Sequence, residues 1–371
     1  MAVLDPTFKR TMQRYGASDF TACYNCGTCT AVCNLSEKNS EFPRKLVRYG
    51  VLGLKEEALA DPAIWLCYAC GSCSETCPRG ADPKNYMAAL RRYAVARMEP
   101  TGLTRLLFTS NPFSVVFTAL LAVLFAFFML TVKPDHVISR WIFDWMPEEI
   151  IHNLGMGLFI FLGLSMVVGG LSMLVKLFKG KPAQEKRIAS LWKAFVETVA
   201  ELISMKRFRD CDADETSYWR DKPAVLKPWF VHLTIMWGFI GLLLATALDF
   251  ILKDPATTLW LPTRLIGTAA GLSMVYGATV SVVYRLKKVT MSYEDSRLAD
   301  WLFLGALWLA GITGFWMEIA VTGDYSNDFN RIIFMIHTVV SMELVLLFAF
   351  SKFAHAIYRP IALFAHFYGK K

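Results

Sequence analysis

The chain has 371 residues, a mean hydropathy of +0.38 and 55% apolar residues, above the roughly 45–50% of a soluble globule. Its formal net charge is +8, but the basic residues collect in loops beside apolar runs. Membrane topology explains that pattern better than nucleic-acid binding does. Nine cysteines, eight of them in two tight clusters, point to metal binding rather than disulfides. Met1–Phe20 lacks the apolar stretch and small-residue site of a secretion signal, so the N-terminal region is expected to stay in the cytoplasm.

Residues 1–104 read as a soluble, basic, α-helical domain. The first motif is Cys23-x2-Cys26-x2-Cys29-x3-Cys33, and the second is Cys67-x2-Cys70-x2-Cys73-x3-Cys77 followed by Pro78. Such runs hold two [4Fe–4S] cubanes, with the fourth thiolate of each run reaching across to the other cluster. The expected ligand sets are Cys23, Cys26, Cys29 and Cys77 for one cluster, and Cys33, Cys67, Cys70 and Cys73 for the other. Gly27 and Gly71 relieve crowding where the backbone curls around the cube. Zinc sites usually take separated cysteine pairs, which two intact four-cysteine runs do not match. Helices are expected over Glu41–Ala60 and Tyr86–Arg97.

This arrangement resembles the α-helical ferredoxin domain of succinate dehydrogenase iron–sulfur subunits and of the small subunit of heterodisulfide reductase. Asn34 stands where the first motif would carry its proline. Paired Cys-Cys-Gly motifs are absent from the sequence, so the disulfide-cleaving chemistry of heterodisulfide reductase is not encoded here.

Residues 105–371 read as a membrane domain. Six apolar stretches approach or exceed the roughly 20 residues that cross a bilayer: Phe113–Val132, Ile150–Leu177, Trp229–Leu252, Leu259–Tyr284, Leu298–Val321 and Ile332–Ala356. The fold class is therefore all-α, a two-cluster ferredoxin domain joined to a six-span bundle. The loops 178–228 and 285–297 are rich in Lys and Arg, whereas 133–149 and 322–330 are acidic. The positive-inside rule puts the basic loops and both termini in the cytoplasm of a cell with an inner membrane.

Four histidines fall in predicted spans, with His136 in a periplasmic loop and His366 in the cytoplasmic tail. His337 and His355 share one predicted helix, eighteen residues or five turns apart, on one face and about 27 Å apart along the axis. His232 matches the depth of His355 near the cytoplasm, and His152 matches His337 near the periplasm. Facing imidazoles at equal depth are a common way for a bundle to hold b haem. The expected pairs are His232 with His355 and His152 with His337.

Phe230-Val-His232 and Ile336-His337-x17-His355 resemble the gamma subunit of respiratory nitrate reductase, a family with four haem-ligating histidines on two helices. Here Leu242 stands where that family has its second histidine, which leaves His152 as the depth-compatible replacement. The fusion of both halves resembles the membrane subunit of the quinone-interacting membrane-bound oxidoreductase complex. That resemblance implies menaquinone as lipid-soluble partner and flavin- and iron–sulfur-bearing, heterodisulfide-reductase-like subunits on the cytoplasmic face. It also implies a link to adenylylsulfate reductase in sulfate reduction.

Quinol protons need acceptors, and Asp249, Glu318 and Glu343 are the intramembrane acids, with Arg264 near the start of the fourth span. Asp249 and Glu318 lie near span ends, where solvation or capping competes with a proton relay. Glu343 is deeper, and an acid there is costly unless paired. Ala183–Lys206 carries an amphipathic helical pattern suited to the membrane surface or to packing beneath the cluster domain. Cys211 is a lone thiol, read as inert. Two rivals remain at this level. One is the anchor of a heterodisulfide-reductase-type complex using another quinone-like carrier. The other is a haem-free membrane sensor or transporter with a cluster domain.

Overall fold

The computed structural model describes residues 3–36, 41–131, 141–178, 188–212, 217–252 and 261–369. Among these residues the regular structure is helical, with no strand. The N-terminal region contains α1 (Phe8–Arg14), α2 (Thr28–Ala31), α3 (Arg44–Leu52), α4 (Lys55–Ala60), α5 (Ser72–Glu75), α6 (Pro83–Met98) and α7 (Leu103–Thr109). Helix α6 is its spine. Pro83 stands in its first turn, and the Asp82 carboxylate accepts from the Asn85 amide at 3.2 Å, satisfying one of the unpaired donors there. Tyr86, Met87, Leu90 and Ala94 recur on one side and are buried with Phe8, Met12, Phe20, Leu46 and Trp65. Each such large apolar side chain contributes roughly 1.5–3 kcal/mol by leaving water.

The helical stretch expected over Glu41–Ala60 forms two helices, α3 and α4. Gly53 ends α3 at φ +72°, and a Cβ there would collide with the Asp5 backbone carbonyl. The left-handed turn and the close approach both require glycine.

Among the described residues, six helices are long and apolar enough to cross a bilayer, as expected of a multi-pass membrane protein. They are α8 (Asn111–Thr131), α9 (Glu148–Phe178), α12 (Pro228–Leu252), α13 (Leu261–Lys287), α15 (Leu298–Thr322) and α16 (Asp328–Leu347). Between them lie α10 (Ile188–Ser204), α11 (Lys206–Asp212) and α14 (Met291–Glu294), and α17 (His355–Tyr368) closes the chain. Helices α12 and α13 pack closest. A Cβ on Gly277 would strike Thr234 and the Val231 carbonyl, and one on Gly238 would strike Ala270 and Met274. Small residues let these backbones approach, as membrane helix pairs require.

The last predicted span breaks. Helix α16 stops at Leu347, a 3₁₀ turn covers Lys352–Ala354, and α17 sets off separately. No Gly or Pro marks the break. Phe353 is seated against Phe303 at 4.0 Å, Phe239 at 4.8 Å and Phe348 at 4.8 Å between ring centroids. Lys352 pairs with Asp300 at 2.9 Å, and the Ser351 hydroxyl accepts from the Phe353 amide to start the new turn. His337 and His355 therefore do not share an unbroken helix, and the five-turn spacing does not apply.

Helix α17 runs against the cluster region. Ala354, Ile357, Tyr358 and Ala362, with Met173 and Leu177 at the end of α9, join the apolar core built by residues 8–98. Helix α10 covers the observed part of the expected amphipathic stretch, whose residues 183–187 lie outside the described ones. It packs on α17, burying Ala194, Thr198 and Glu201 while Trp192, Phe195 and Ile203 stay exposed.

Candidate functional site

The two cysteine loops repeat one backbone path. Asn25 and Ala69 both take positive φ, at 66° and 57°, and Gly27 and Gly71 follow at 92° and 105°. The Asn25 amide donates to Cys23 Sγ at 3.4 Å and the Ala69 amide to Cys67 Sγ at 3.2 Å. The Ala81 amide donates to Cys77 Sγ at 3.4 Å. Hydrogen bonds of this kind stabilise electron-rich sulfur and tune cluster potential.

The thiols sort across the motifs. Cys33, Cys67, Cys70 and Cys73 line one cavity, together with Leu35, Phe42 and Met87. Burial raises Cys73 well above an ordinary thiol, and the charges of Cys67, Cys70 and Cys33 raise it further. Burial likewise raises Cys29, with Cys23, Cys26 and Cys77 as its charged neighbours. Four thiolates so close repel one another unless a cationic iron core lies between them. Among the described residues no three His, Cys, Asp or Glu side chains converge on a single-ion position. Around zinc, the sulfurs would lie about 2.3 Å from a common centre. Four cysteines per site are the donor set of a [4Fe–4S] cubane.

Residues 19–81 match the 4Fe-4S dicluster domain family. A stretch of 63 residues resembles one subunit, designated C, of the H(2):CoB-CoM heterodisulfide,ferredoxin reductase of Methanothermobacter thermautotrophicus, at 37% identity. The Methanothermobacter marburgensis protein of the same name is 36% identical, and a protein of Archaeoglobus profundus described as like the corresponding heterodisulfide reductase subunit is 35% identical. Each match covers 17% of this chain, and the chain spans about a third (34%) of the length of these relatives. No solved structure matches the chain. The chain thus joins a stretch that matches an iron–sulfur dicluster domain to helices long and apolar enough to span a membrane.

The surroundings of the dicluster domain come from the membrane region. Ser292, in the α13–α15 connection, donates to the Cys70 carbonyl at 2.9 Å. Lys84 reaches the same connection, bonding the Met291 carbonyl at 2.7 Å and Asp295 at 2.9 Å. Cys211, read from sequence as an inert lone thiol, lines the second-motif cavity. Its hydrogen bond is the largest influence on Cys70, lowering that thiol to about 6. Nothing in the spacing signalled this, because the contact joins residues on separate elements.

The structure brings His232 and His355 together, with ring centroids 6.0 Å apart. The His355 Nδ1–H donates to the Lys352 carbonyl at 2.5 Å, which leaves Nε2 as the free lone pair. His232 keeps a buried Nδ1 with no protein partner. Two metal–imidazole bonds of about 2 Å each separate facing ring centres by about 6 Å. That separation is compatible with a metal shared between the rings.

His337 is engaged by α15. The His337 Nδ1–H donates to the Ala310 carbonyl at 3.1 Å and lies 3.1 Å from the Thr313 hydroxyl, so its ring faces α15. Met335, Val339 and Met342, on the other side of α16, form the row that packs with Ile151, Leu154 and Leu158 of α9. His136 lies outside the described residues.

One of the expected proton-handling groups, Glu318, lines a cleft. Thr268, Leu272, Phe315, Glu318, Ile319, Thr322 and Tyr325 line an open cleft between α13 and α15. The Thr268 hydroxyl donates to Glu318 at 2.7 Å, and Arg264 donates to the Thr322 hydroxyl at 3.0 Å. Glu318 is thus held inside the cleft rather than capping a helix end. Glu343 stands apart on α16 with a buried Oε1 lacking a hydrogen-bond partner. The side chain of Asp249 lies outside the described residues.

Proposed function

We propose that this chain is the membrane subunit of a quinone-linked oxidoreductase. It carries electrons from menaquinol in the inner membrane, through a b-type haem and two [4Fe–4S] clusters, to flavin-bearing, heterodisulfide-reductase-like partners in the cytoplasm. Cys23, Cys26, Cys29 and Cys77 hold one cubane, Cys33, Cys67, Cys70 and Cys73 hold the other, and His232 and His355 hold the haem. These groups supply one-electron carriers, and the protein sets their spacing, burial and hydrogen bonding. Both termini are cytoplasmic, as the basic loops require. The whole-chain resemblance favours adenylylsulfate reductase as the terminal acceptor.

The observation that carries the reading is the His232–His355 pair, 6.0 Å apart where the bundle meets the dicluster domain. The cleft between α13 and α15 suits the quinone. It is apolar through Leu272, Phe315 and Ile319, and Glu318 can accept a proton from a quinol hydroxyl while Thr268 orients it. Gly277 approaches the Val231 carbonyl beside His232. Leu272, at the inner end of the cleft, is five residues along α13 from that level, about 8 Å. A second haem between His152 and His337 would require the His337 ring to leave the Ala310 carbonyl and cross to the α9 side of α16, so the reading carries one haem.

The test is a reduced-minus-oxidised spectrum of the purified full chain, with haem and iron counted. The expected result is a b-haem band that His355→Ala removes while two cubanes' worth of non-haem iron stays. Wild-type protein without porphyrin overturns the reading.

A further inference from the structure

An unbroken series of packed rings joins the two candidate cofactor sites. Tyr68 directly follows Cys67 and lines the second-motif cavity. Its ring stacks on Phe208 of α11, with centroids 4.6 Å apart and planes 18° from parallel. Phe208, 8% exposed, meets the His232 ring edge-on at 6.1 Å. His232 in turn faces His355.

Tyr68 is clamped rather than loosely packed. The Arg359 guanidinium covers its ring 3.8 Å from the centroid and donates to the Leu66 carbonyl at 3.4 Å. The Tyr68 hydroxyl donates to Glu201 at 2.7 Å. Three elements outside the dicluster domain, α10, α11 and α17, thus hold one side chain of the second motif in place. Cofactor ligation alone needs none of these contacts.

The first motif has the same residue in the same place and none of this clamp. Tyr24, which follows Cys23 as Tyr68 follows Cys67, is 59% exposed, and Cys26 is exposed. The two loops share a backbone path but differ in surroundings: one faces the bundle and the other faces outward.

We propose that Tyr68 and Phe208 form the electron bridge between the haem and the second-motif cluster. Electrons then enter the dicluster domain at Cys33, Cys67, Cys70 and Cys73, and leave for the soluble partner from the exposed loop of Cys23, Cys26, Cys29 and Cys77. The inference rests on the haem reading above. Tunnelling falls steeply with the width of an unfilled gap, so packed rings set the preferred entry point. Each event moves one electron, oxidising a ferrous haem and reducing a cubane from its 2+ to its 1+ charge. No bond breaks and no proton moves, and neither ring is itself oxidised.

The experiment follows haem reoxidation after rapid reduction by a menaquinol analogue, using the full chain in lipid nanodiscs. Phe208→Ala is expected to slow it several-fold, with the haem spectrum and both cluster EPR signals unchanged. Phe208→Trp and Tyr68→Phe, which keep a ring in place, should run at the wild-type rate. Tyr68→Leu, which does not touch the haem histidines, should slow it as Phe208→Ala does, and it decides the matter if Phe208→Ala disturbs the haem. Wild-type rates in the ring-deleting variants, with all cofactors intact, overturn the bridge and leave the haem reading standing. Absence of haem from the wild type overturns the haem reading instead.

Discussion

Cys211 of helix α11 and Cys70 of the second motif line the same cavity, and the Cys211 thiol is the group that most lowers Cys70. A donor to a cluster thiolate stabilises the reduced, more negative state. Cys211→Ala should keep the full iron content and shift the potential of one cluster in the negative direction. Potentiometric EPR on the wild type and the variant measures it, and equal potentials would leave Cys211 without a role in tuning the cluster.

The histidines separate by substitution. His232→Ala and His355→Ala should each abolish the low-spin haem signal. His152→Ala should keep it, because His337 faces Ala310 and Thr313 rather than α9. Loss of half the haem in His152→Ala would restore the four-histidine scheme.

The cleft makes a kinetic prediction. Glu318→Gln keeps the size of the side chain but cannot take a proton, so quinol oxidation should slow with haem and iron unchanged. General-base removal of this kind typically costs about 10²–10⁴-fold. Steady-state quinol oxidation at several pH values measures it, and an unchanged rate would move the quinone site elsewhere.

Backbone strain at the second motif is testable at Gly71. A Cβ there meets only ordinary contacts, the nearest being Met291 Cβ at 3.6 Å, so the cost of Gly71→Ala comes from φ +105° itself. That conformation costs a non-glycine residue about 1–3 kcal/mol. Gly80, at φ +61° with nothing within 4 Å, sits in the ordinary left-handed region and should cost about 1 kcal/mol or less. Bleaching of cluster absorbance against urea compares the two, and Gly71→Ala should bleach at the lower concentration.

Asp212 ties stability to pH. Burial raises its carboxyl to about 7, while accepting the Trp229 amide at 2.9 Å works the other way. A carboxyl raised above its unfolded value binds its proton more tightly when folded. Its contribution is complete below about pH 4 and is lost as pH climbs through about 7. Asp212→Asn keeps an oxygen for Trp229 and cannot ionise, so it should flatten the fall in thermal stability between those limits. An unchanged pH profile in the variant would assign the fall to other groups.

The cysteine ligand types, the six spans and the basic loops were legible in the sequence because each is local. Two-residue spacings wind a loop around a cube, and about 20 apolar residues cross a bilayer whatever they pack against. Periodicity could not foresee the break after Leu347, since it lacks glycine and proline and follows from the seating of Phe353 among three other phenylalanines and from the Lys352–Asp300 pair. Depth matching suggested both histidine pairs, but depth says nothing about which way a ring turns. Only packing decided that His355 faces His232 while His337 faces α15. Tyr68 and Tyr24 occupy equivalent places in sequence, and tertiary structure alone gave one of them Phe208 and Arg359. Chemistry confined to a short loop can be read along the chain, whereas orientation and adjacency belong to the assembled core.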